Sequence, residues 1–494
     1  MEQSAMSKKI SIVIGILVFI LVMTVLLMPA RAHAGLFEDA LSGDAPPPAE
    51  QPNSDNSEKN TSSGGTFGGF SGINFELNGY VRGVTYIGKV PDAEEAEVKS
   101  GYGEGALKLR VRTGKYGDGF TELRFRAGYE NNEELVEFDL REAYVNVFLG
   151  PVDIRFGKQI IVWGRADGFN PTDNLTPKNM LSRSPDEDDR RLGNLALRTW
   201  FNANPFRFEL IWVPFYAESK LPPFQLDGPI SFANPLYPNM NLNNGAGAAR
   251  FNINTPAIDA SVSYLFGHAP QPGLTLVDMQ FGPGVDPGLT VALRPYRQHV
   301  AGADFSAAVM DWFGIRGETA FRYPLDYEDN DYAPNPEIQY VLGLDKEFFG
   351  ELNFILQYTG KYVFDWESID DDQRISYLME NPSAITGPVD IPGMVGNEIA
   401  FRNRMISGQS ERVQHGLTLR VEWKTLYETL SLSALGYYNI STGEWMTLPK
   451  ITYQITDALQ FSAGGQIYGG PDDTMYGMID EVASAGYIEF KASF

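Results

Sequence analysis

From Ile73 to its last residue the chain alternates with period two. Ile73, Phe75, Leu77, Val81 and Ile87 alternate with Asn74, Glu76, Asn78, Tyr80 and Arg82. Leu107, Leu109 and Val111 alternate with Lys108, Arg110 and Arg112, and Leu123, Phe125 and Ala127 with Glu122, Arg124 and Arg126. At the far end Ile488, Phe490, Ala492 and Phe494 alternate with Tyr487, Glu489, Lys491 and Ser493. Successive side chains of a strand point to opposite faces, so each segment has one apolar and one polar face. Every apolar face must then be hidden, either in a soluble sandwich or against lipid.

The connections separate these two outcomes. Short turns are expected near 116–119, 150–151, 202–205, 254–256, 311–314, 347–350, 424–428 and 456–457. Between them lie polar, mostly longer connections near 88–102, 131–135, 164–192, 217–244, 268–297, 324–336, 366–408, 440–443 and 470–480. Short and long alternate, which predicts 18 strands (16 is the neighbouring even count) and puts both chain ends on the short-turn side. A soluble sandwich has no reason to sort its connections this way. The fold class read here is all-β, a transmembrane antiparallel up-and-down β-barrel with short periplasmic turns and long extracellular loops. Hydrocarbon forces every backbone N–H and C=O to pair within the protein, and a sheet achieves that only without an edge. Strand 1 at Ile73 is therefore expected to pair with strand 18 at Phe494. Trp312-Phe313, Phe348-Phe349, Trp423 and Tyr427 gather at the short turns, where aromatic rings would sit at headgroup level.

The N-terminus precedes this pattern. Lys8 and Lys9, the apolar run from Ile10 to Met28 and the small-residue site Ala32-His33-Ala34 predict a signal peptide over 1–34, with an uncleaved anchor as the alternative. Residues 35–72 include PPPAEQPNSDNSEKNTSSGG, too polar to build a core, and read as a flexible periplasmic linker. The barrel is assigned to 73–494, in the outer membrane of a Gram-negative bacterium after export.

Composition excludes several classes of function. The chain has no Cys and four His, of which His268, His299 and His415 follow the leader and stand apart. No thiolate chemistry, covalent haem or His-based centre is expected, and so no cofactor, metal or catalytic residue. The acidic run Asp326–Asp331 lacks the spacing of a calcium loop. A net charge of −24 argues against nucleic acid. The expected partners are outer-membrane lipid and lipopolysaccharide, the barrel-assembly machinery and small solutes.

With lipid on the apolar faces, the polar faces enclose water. Arg82, Lys108, Arg110, Arg112, Arg124, Arg126, Arg155, Arg198 and Arg207 are the candidate pore-lining residues. Two readings stay open: a lumen that attracts anions, or a ladder of Arg–Glu pairs that only stiffens the wall. Much of the acidic total lies in loops such as Asp92–Glu97, Asp186–Asp189 and Asp370–Asp372. The loop over 164–192 is the third long one and carries Arg165, Asp167, Asp173, Lys178 and Arg183. It is expected either to fold inward as a constriction or to stay a solvated external loop. Phe490 and Phe494 read as the assembly signal, with Ala492 where an aromatic is common.

One stretch carries a resemblance. Arg155-Phe156-Gly157-Lys158-Gln159, Trp163-Gly164 and Asn170-Pro171-x-Asp173 resemble a porin-like family of proteobacterial outer-membrane barrels whose function is unknown, and more remotely alginate-export porins. The match covers some 20 residues and implies a barrel, with no solute attached. The function expected is a porin-like channel for small hydrophilic solutes, anions among them. The alternatives are a transporter for hydrophobic compounds (Phe224, Phe232, Leu236 and Tyr237 in loop 217–244) or exported polysaccharide, and a non-conducting receptor or sleeve.

Overall fold

The computed structural model describes residues 65–68 and 73–494, except 90–94, 131–132, 222–229, 283–284, 310–312 and 382–388. The expected signal peptide, most of the expected linker and Trp312 lie outside the described residues. Alternation becomes strand wherever it was read. The strands are β1 (Ile73–Lys89), β2 (Ala96–Thr113), β3 (Gly117–Glu130), β4 (Glu133–Leu149), β5 (Val152–Gln159) and β6 (Asn194–Ala203). They continue as β7 (Phe206–Val213), β8 (Ala246–Asn254), β9 (Ile258–His268), β10 (Arg297–Val309), β11 (Phe313–Pro324) and β12 (Glu337–Phe348). The last six are β13 (Leu352–Val363), β14 (Val413–Thr425), β15 (Leu430–Asn439), β16 (Trp445–Gln454), β17 (Leu459–Gly469) and β18 (Ala485–Ser493). Each pairs antiparallel with its chain neighbours, and β18 returns to β1 with Tyr80 opposite Ser493 and Ile87 opposite Gly486. The sheet is a closed barrel of 18 strands.

Closure is completed by the chain's own ends. Gly79 N–H donates to the Phe494 carbonyl and Phe494 N–H to the Gly79 carbonyl, both at 2.9 Å. A Cβ on Gly79 would stand 2.6 Å from Phe494 Cζ, so the terminal ring needs a glycine beneath it. β1 extends beyond this point toward the short turns, where Gly65–Gly68 pairs antiparallel with Asn74–Leu77. Four residues assigned to the linker are therefore strand, because β1 outruns β18 and leaves backbone to be paired.

The outer surface is apolar. Val136 and Phe138 are 68% and 69% exposed, whereas the inward Arg82 is 2% exposed. Val81, Phe125, Phe156, Val262, Leu342 and Phe490 are exposed on the same outer face. Phe349 and Tyr427 project fully at short turns. A belt of this kind, around a barrel closed without an edge, is a lipid-facing surface.

The long connections depart from the sequence reading. The one placed at 88–102 is mostly strand, since β1 runs to Lys89 and β2 begins at Ala96. Others are folded instead of merely polar. A hairpin of Gly273–Gly282 and Val285–Arg294, with Ile230–Phe232 added in parallel, packs on helices α1 (Ile375–Glu380) and α2 (Ile391–Ser407). Leu274, Val291, Ile399 and Ile406 form one buried cluster there, and Leu289, Ile375 and Val395 another. A third helix, α3 (Met475–Ala483), lies against β17.

Candidate functional site: a charged lumen crossed by the third loop

The connection between β5 and β6, residues 160–193, enters the barrel and meets walls on both sides. Its first hold is apolar. Ile161, Trp163 and Leu175 pack with Ala196, Ile211, Val213, Ala248, Leu265, Val300 and Ala320, all buried. These wall residues face inward, a departure from the rule that inner faces are polar. In FRFELIWV of β7 the outer Phe208, Leu210 and Trp212 and the inner Ile211 and Val213 are all apolar. Alternation cannot reveal such a patch. Trp163 of the Trp-Gly pair is 2% exposed and is thus a core residue.

The second hold is a carboxylate on β11. Glu318 Oε2 accepts the N–H groups of Arg165 and Ala166, each at 3.0 Å, and Oε1 accepts Thr172 N–H at 2.7 Å and its Oγ1 at 2.8 Å. Gly164, at φ +101°, passes so close that a Cβ would lie 2.6 Å from Oε2. That contact explains the glycine of the Trp-Gly pair. Arg322 on the same strand donates to the Pro171 carbonyl at 3.0 Å, and Arg165 meets Asp304 of β10, which also binds Arg250. Asp167 pairs with Arg420 of β14 at 2.6 Å, and Phe169 lies 4.4 Å from the ring of Tyr437 on β15.

Residues 182–191 reach the opposite wall. Asp189 receives Arg82 of β1 at 2.8 Å and Arg124 of β3 at 2.7 Å. Burial disfavours charge on its carboxyl, yet the guanidiniums of Arg82, Arg124 and Arg141 hold it well below the usual carboxylate range. Asp186 pairs with Lys450 of β16 at 2.8 Å, and Arg126 donates to Ser182 while gripping Glu104 of β2 through two nitrogens. Arg183 donates to the carbonyls of Val482 and Ala483, and Lys99 to those of Glu481, Val482 and Ser484, so two cations sit at the C-terminal end of α3. The tip of the loop is thereby tied to this second inward element.

A cavity of about 2130 Å³ remains around the loop, lined from the short-turn end to the mouth. Of the nine candidate lining residues, Lys108, Arg110, Arg124, Arg155, Arg198 and Arg207 border it; Arg82, Arg112 and Arg126 do not. Arg82 and Arg126 are spent on Glu104 beneath the loop, and Arg112 pairs with Glu76 at 2.8 Å near the short turns. Arg165, Asp167, Asp173, Lys178 and Arg183 all border it, yet Asp173 is held by Arg191 at 2.5 Å and only Lys178 is about half exposed. Glu187 and Asp188, both exposed, also project into it. The acids that seat the loop, Glu104, Asp304 and Glu318, were not singled out in the sequence. Their signal is slight: an acid at an inner-face position between basic residues.

Arg155 lies directly opposite Arg198 across β5 and β6, a like-charge pair that ordinarily destabilises. Aromatic rings relieve it. Arg155 stacks on Tyr144 at 4.0 Å, while Arg198 and Arg207 flank Trp200 at 4.5 and 5.0 Å. Arg198 also pairs with Glu209; among the described residues neither Arg155 nor Arg207 has an ion-pair partner. Counted over the whole lining, twenty Lys and Arg face fifteen Asp and Glu. Among the described residues no group of three or more His, Asp or Glu is arranged to hold a metal ion.

No family model and no curated protein matches the chain. Among solved structures it is similar to the outer membrane protein OpdK of Pseudomonas aeruginosa, at 7% identity over 85% of this chain and 98% of that one, with a TM-score of 0.48. It is also similar to the outer membrane channel DcaP of Acinetobacter baumannii (10% identity, 87% and 99% covered, TM-score 0.40) and to Salmonella typhi OmpF in complex with daunomycin (10%, 86% and 98%, TM-score 0.40).

Proposed function

We propose that this chain is a porin-like channel of a Gram-negative outer membrane that passes small hydrophilic solutes and favours anions. The observation that carries the reading is a closed barrel, apolar outside, around a cavity of about 2130 Å³ whose lining holds five more basic than acidic side chains, although the whole chain is at −24. A low-dielectric wall focuses the field of that excess into the lumen and raises the local concentration of anions. Arg110, Arg155 and Arg207 supply it most directly, since none is neutralised by an ion pair among the described residues. The third loop is the constriction: Lys178, Glu187 and Asp188 present charge to the passing solute, while Arg165, Asp167, Asp173 and Arg183 keep the loop in place. Phe490 and Phe494 serve as the assembly signal. No catalytic role is assigned.

Planar-bilayer recording in a KCl gradient tests this. The expected result is a steady conductance with a reversal potential displaced toward that of Cl⁻. Changing Arg110, Arg155 and Arg207 to Ser removes three of the five excess charges, so selectivity should shift toward cations without reversing. An intact barrel that does not conduct overturns the channel reading. Conductance with an unshifted reversal potential in the triple variant overturns the anion preference alone.

A further inference from the structure

Between Asp227 and Arg250 the chain has no charged residue, in a protein several of whose other loops, such as 325–336 and 470–484, are strongly acidic. The described part of this stretch, 230–244, exposes a row of large apolar side chains: Phe232 55%, Leu236 50%, Met240 80% and Leu242 61%. None of residues 230–244 borders the lumen cavity. Phe232 and Leu236 hint in the sequence at apolar solutes, and a hydrophilic channel leaves them without a role.

Hydrogen bonds fix where this stretch lies. Arg297 donates to the Asn243 carbonyl, and His268 Nδ1 lies 3.3 Å from the Asn244 carbonyl. Both side chains project from the outer face of the barrel rim. His268 shares the side of the exposed Val262 and Tyr264 on β9, and Arg297 stands over the Phe266 ring, which stacks on outward-facing His299 at 4.6 Å. The end of the segment, Asn243–Asn244, is thus strapped to the outer side of the rim, above the lipid-facing surface of β9 and β10. Asn241 caps the turn Leu242–Asn244 by accepting the N–H groups of Asn243 and Asn244, and Met240 and Leu242 stand exposed at this ordered turn.

We propose that residues 230–244 form an interfacial arm that rests on membrane lipid, with Met240 and Leu242 inserted at the boundary between headgroups and acyl chains. Continuity with the apolar belt names the occupant: the same lipid that covers Val262 and Tyr264 meets the arm next. Its chemistry fits, because apolar side chains, prolines and neutral amides suit the headgroup region, whereas the acidic loops must stay in water. An exposed apolar patch of this kind marks an interaction surface. The arm also reaches the mouth. Ala233 and Leu236 donate backbone N–H groups to the carbonyls of Val291 and Leu293, in the hairpin that packs on α2, whose Ile406 borders the cavity.

The chain has no cysteine, so single labels are clean. Met240→Cys, Leu242→Cys and, as a control in an acidic loop, Asp372→Cys would each carry a bimane fluorophore on full-length protein in phosphatidylcholine vesicles. The expected result is at least twofold quenching at 240 and 242 by lipid spin-labelled near the headgroup, with protection from aqueous iodide and the reverse pattern at 372. Quenching of 240 and 242 by iodide as at 372 overturns the proposal, as does protection from both quenchers, which would mean that protein covers the arm. Conductance measured on the same labelled samples is a separate readout, so a failure of the channel reading is distinguishable from a failure of this one.

Discussion

Replacing Glu318 by Gln isolates the polar hold on the constriction loop. The carboxylate accepts four hydrogen bonds, two per oxygen, from Arg165, Ala166 and Thr172. An amide keeps the shape but turns an NH₂ group toward one pair of donors, so two bonds are lost and two become neutral. Bonds to a charged group contribute about 1.5–3 kcal/mol each and neutral ones about 0.5–1.5 kcal/mol, which gives a gross loss of about 5–9 kcal/mol. Removing a buried charge restores part of that by relieving desolvation, leaving a net of about 2–4 kcal/mol. The ratio of seated to released loop then falls by roughly thirty- to a thousandfold. Trp163, Ile161 and Leu175 still anchor the flanks, so residues 164–172 should move without the loop leaving the barrel. Single-channel recording should show larger mean conductance and added current noise, with cation and anion permeabilities drawn together. Glu318→Gln and Glu318→Ala channels that both match the wild type in conductance, noise and selectivity would refute the reasoning.

Trp163→Ala should destabilise the seated loop by about 3–5 kcal/mol through the cavity it leaves, read as loop cleavage by added protease at concentrations that spare the wild type. Gly164→Ala should loosen the same stretch as Glu318→Gln does, since φ +101° and a Cβ 2.6 Å from Oε2 both oppose the side chain; wild-type noise in this variant would contradict the clamp. Asp189, with its seated carboxyl held below the ordinary range, stabilises the loop fully above the pKa of a free Asp and loses that contribution as pH falls through the depressed value. The difference in conductance between wild type and Asp189→Asn should therefore stay constant from pH 7 down to about 4 and shrink only below it; a difference that vanishes between pH 5 and 7 would count against this pairing. Gly79→Val should displace the Phe494 ring and lower the folded fraction on unheated gels, and normal assembly would argue against that contact.

Strand positions and the sorting of connections were legible, because alternation is a local property and short turns interrupt it. The turn at Gly150-Pro151 and the pairing of β18 with β1 both followed from that and from the need to leave no edge in lipid. The inward Arg residues of β1 to β3 were legible too, by parity alone. Neighbouring partners such as Glu76 for Arg112 and Glu122 for Arg124 follow from the same parity, but the partners in the loop do not. Arg82 meets Asp189 across 107 residues, and no spacing rule links an arginine on a strand to an acid in a distant loop. The apolar patch on the inner wall escaped for a different reason: Ile211 and Val213 read as one more apolar pair in a strand that is apolar on both faces.

The sequence by itself determined that this chain closes into a barrel with lipid outside and water within. Period two and the hydrogen-bonding demands of hydrocarbon admit little else. Only the tertiary structure decided how the third loop is held, because the same charges and aromatics would suit a loop waving in solvent. Its course through the lumen depends on Trp163 finding an apolar wall and on Glu318 facing three backbone N–H groups. Those meetings arise from barrel curvature and strand register, which bring together residues about 150 positions apart.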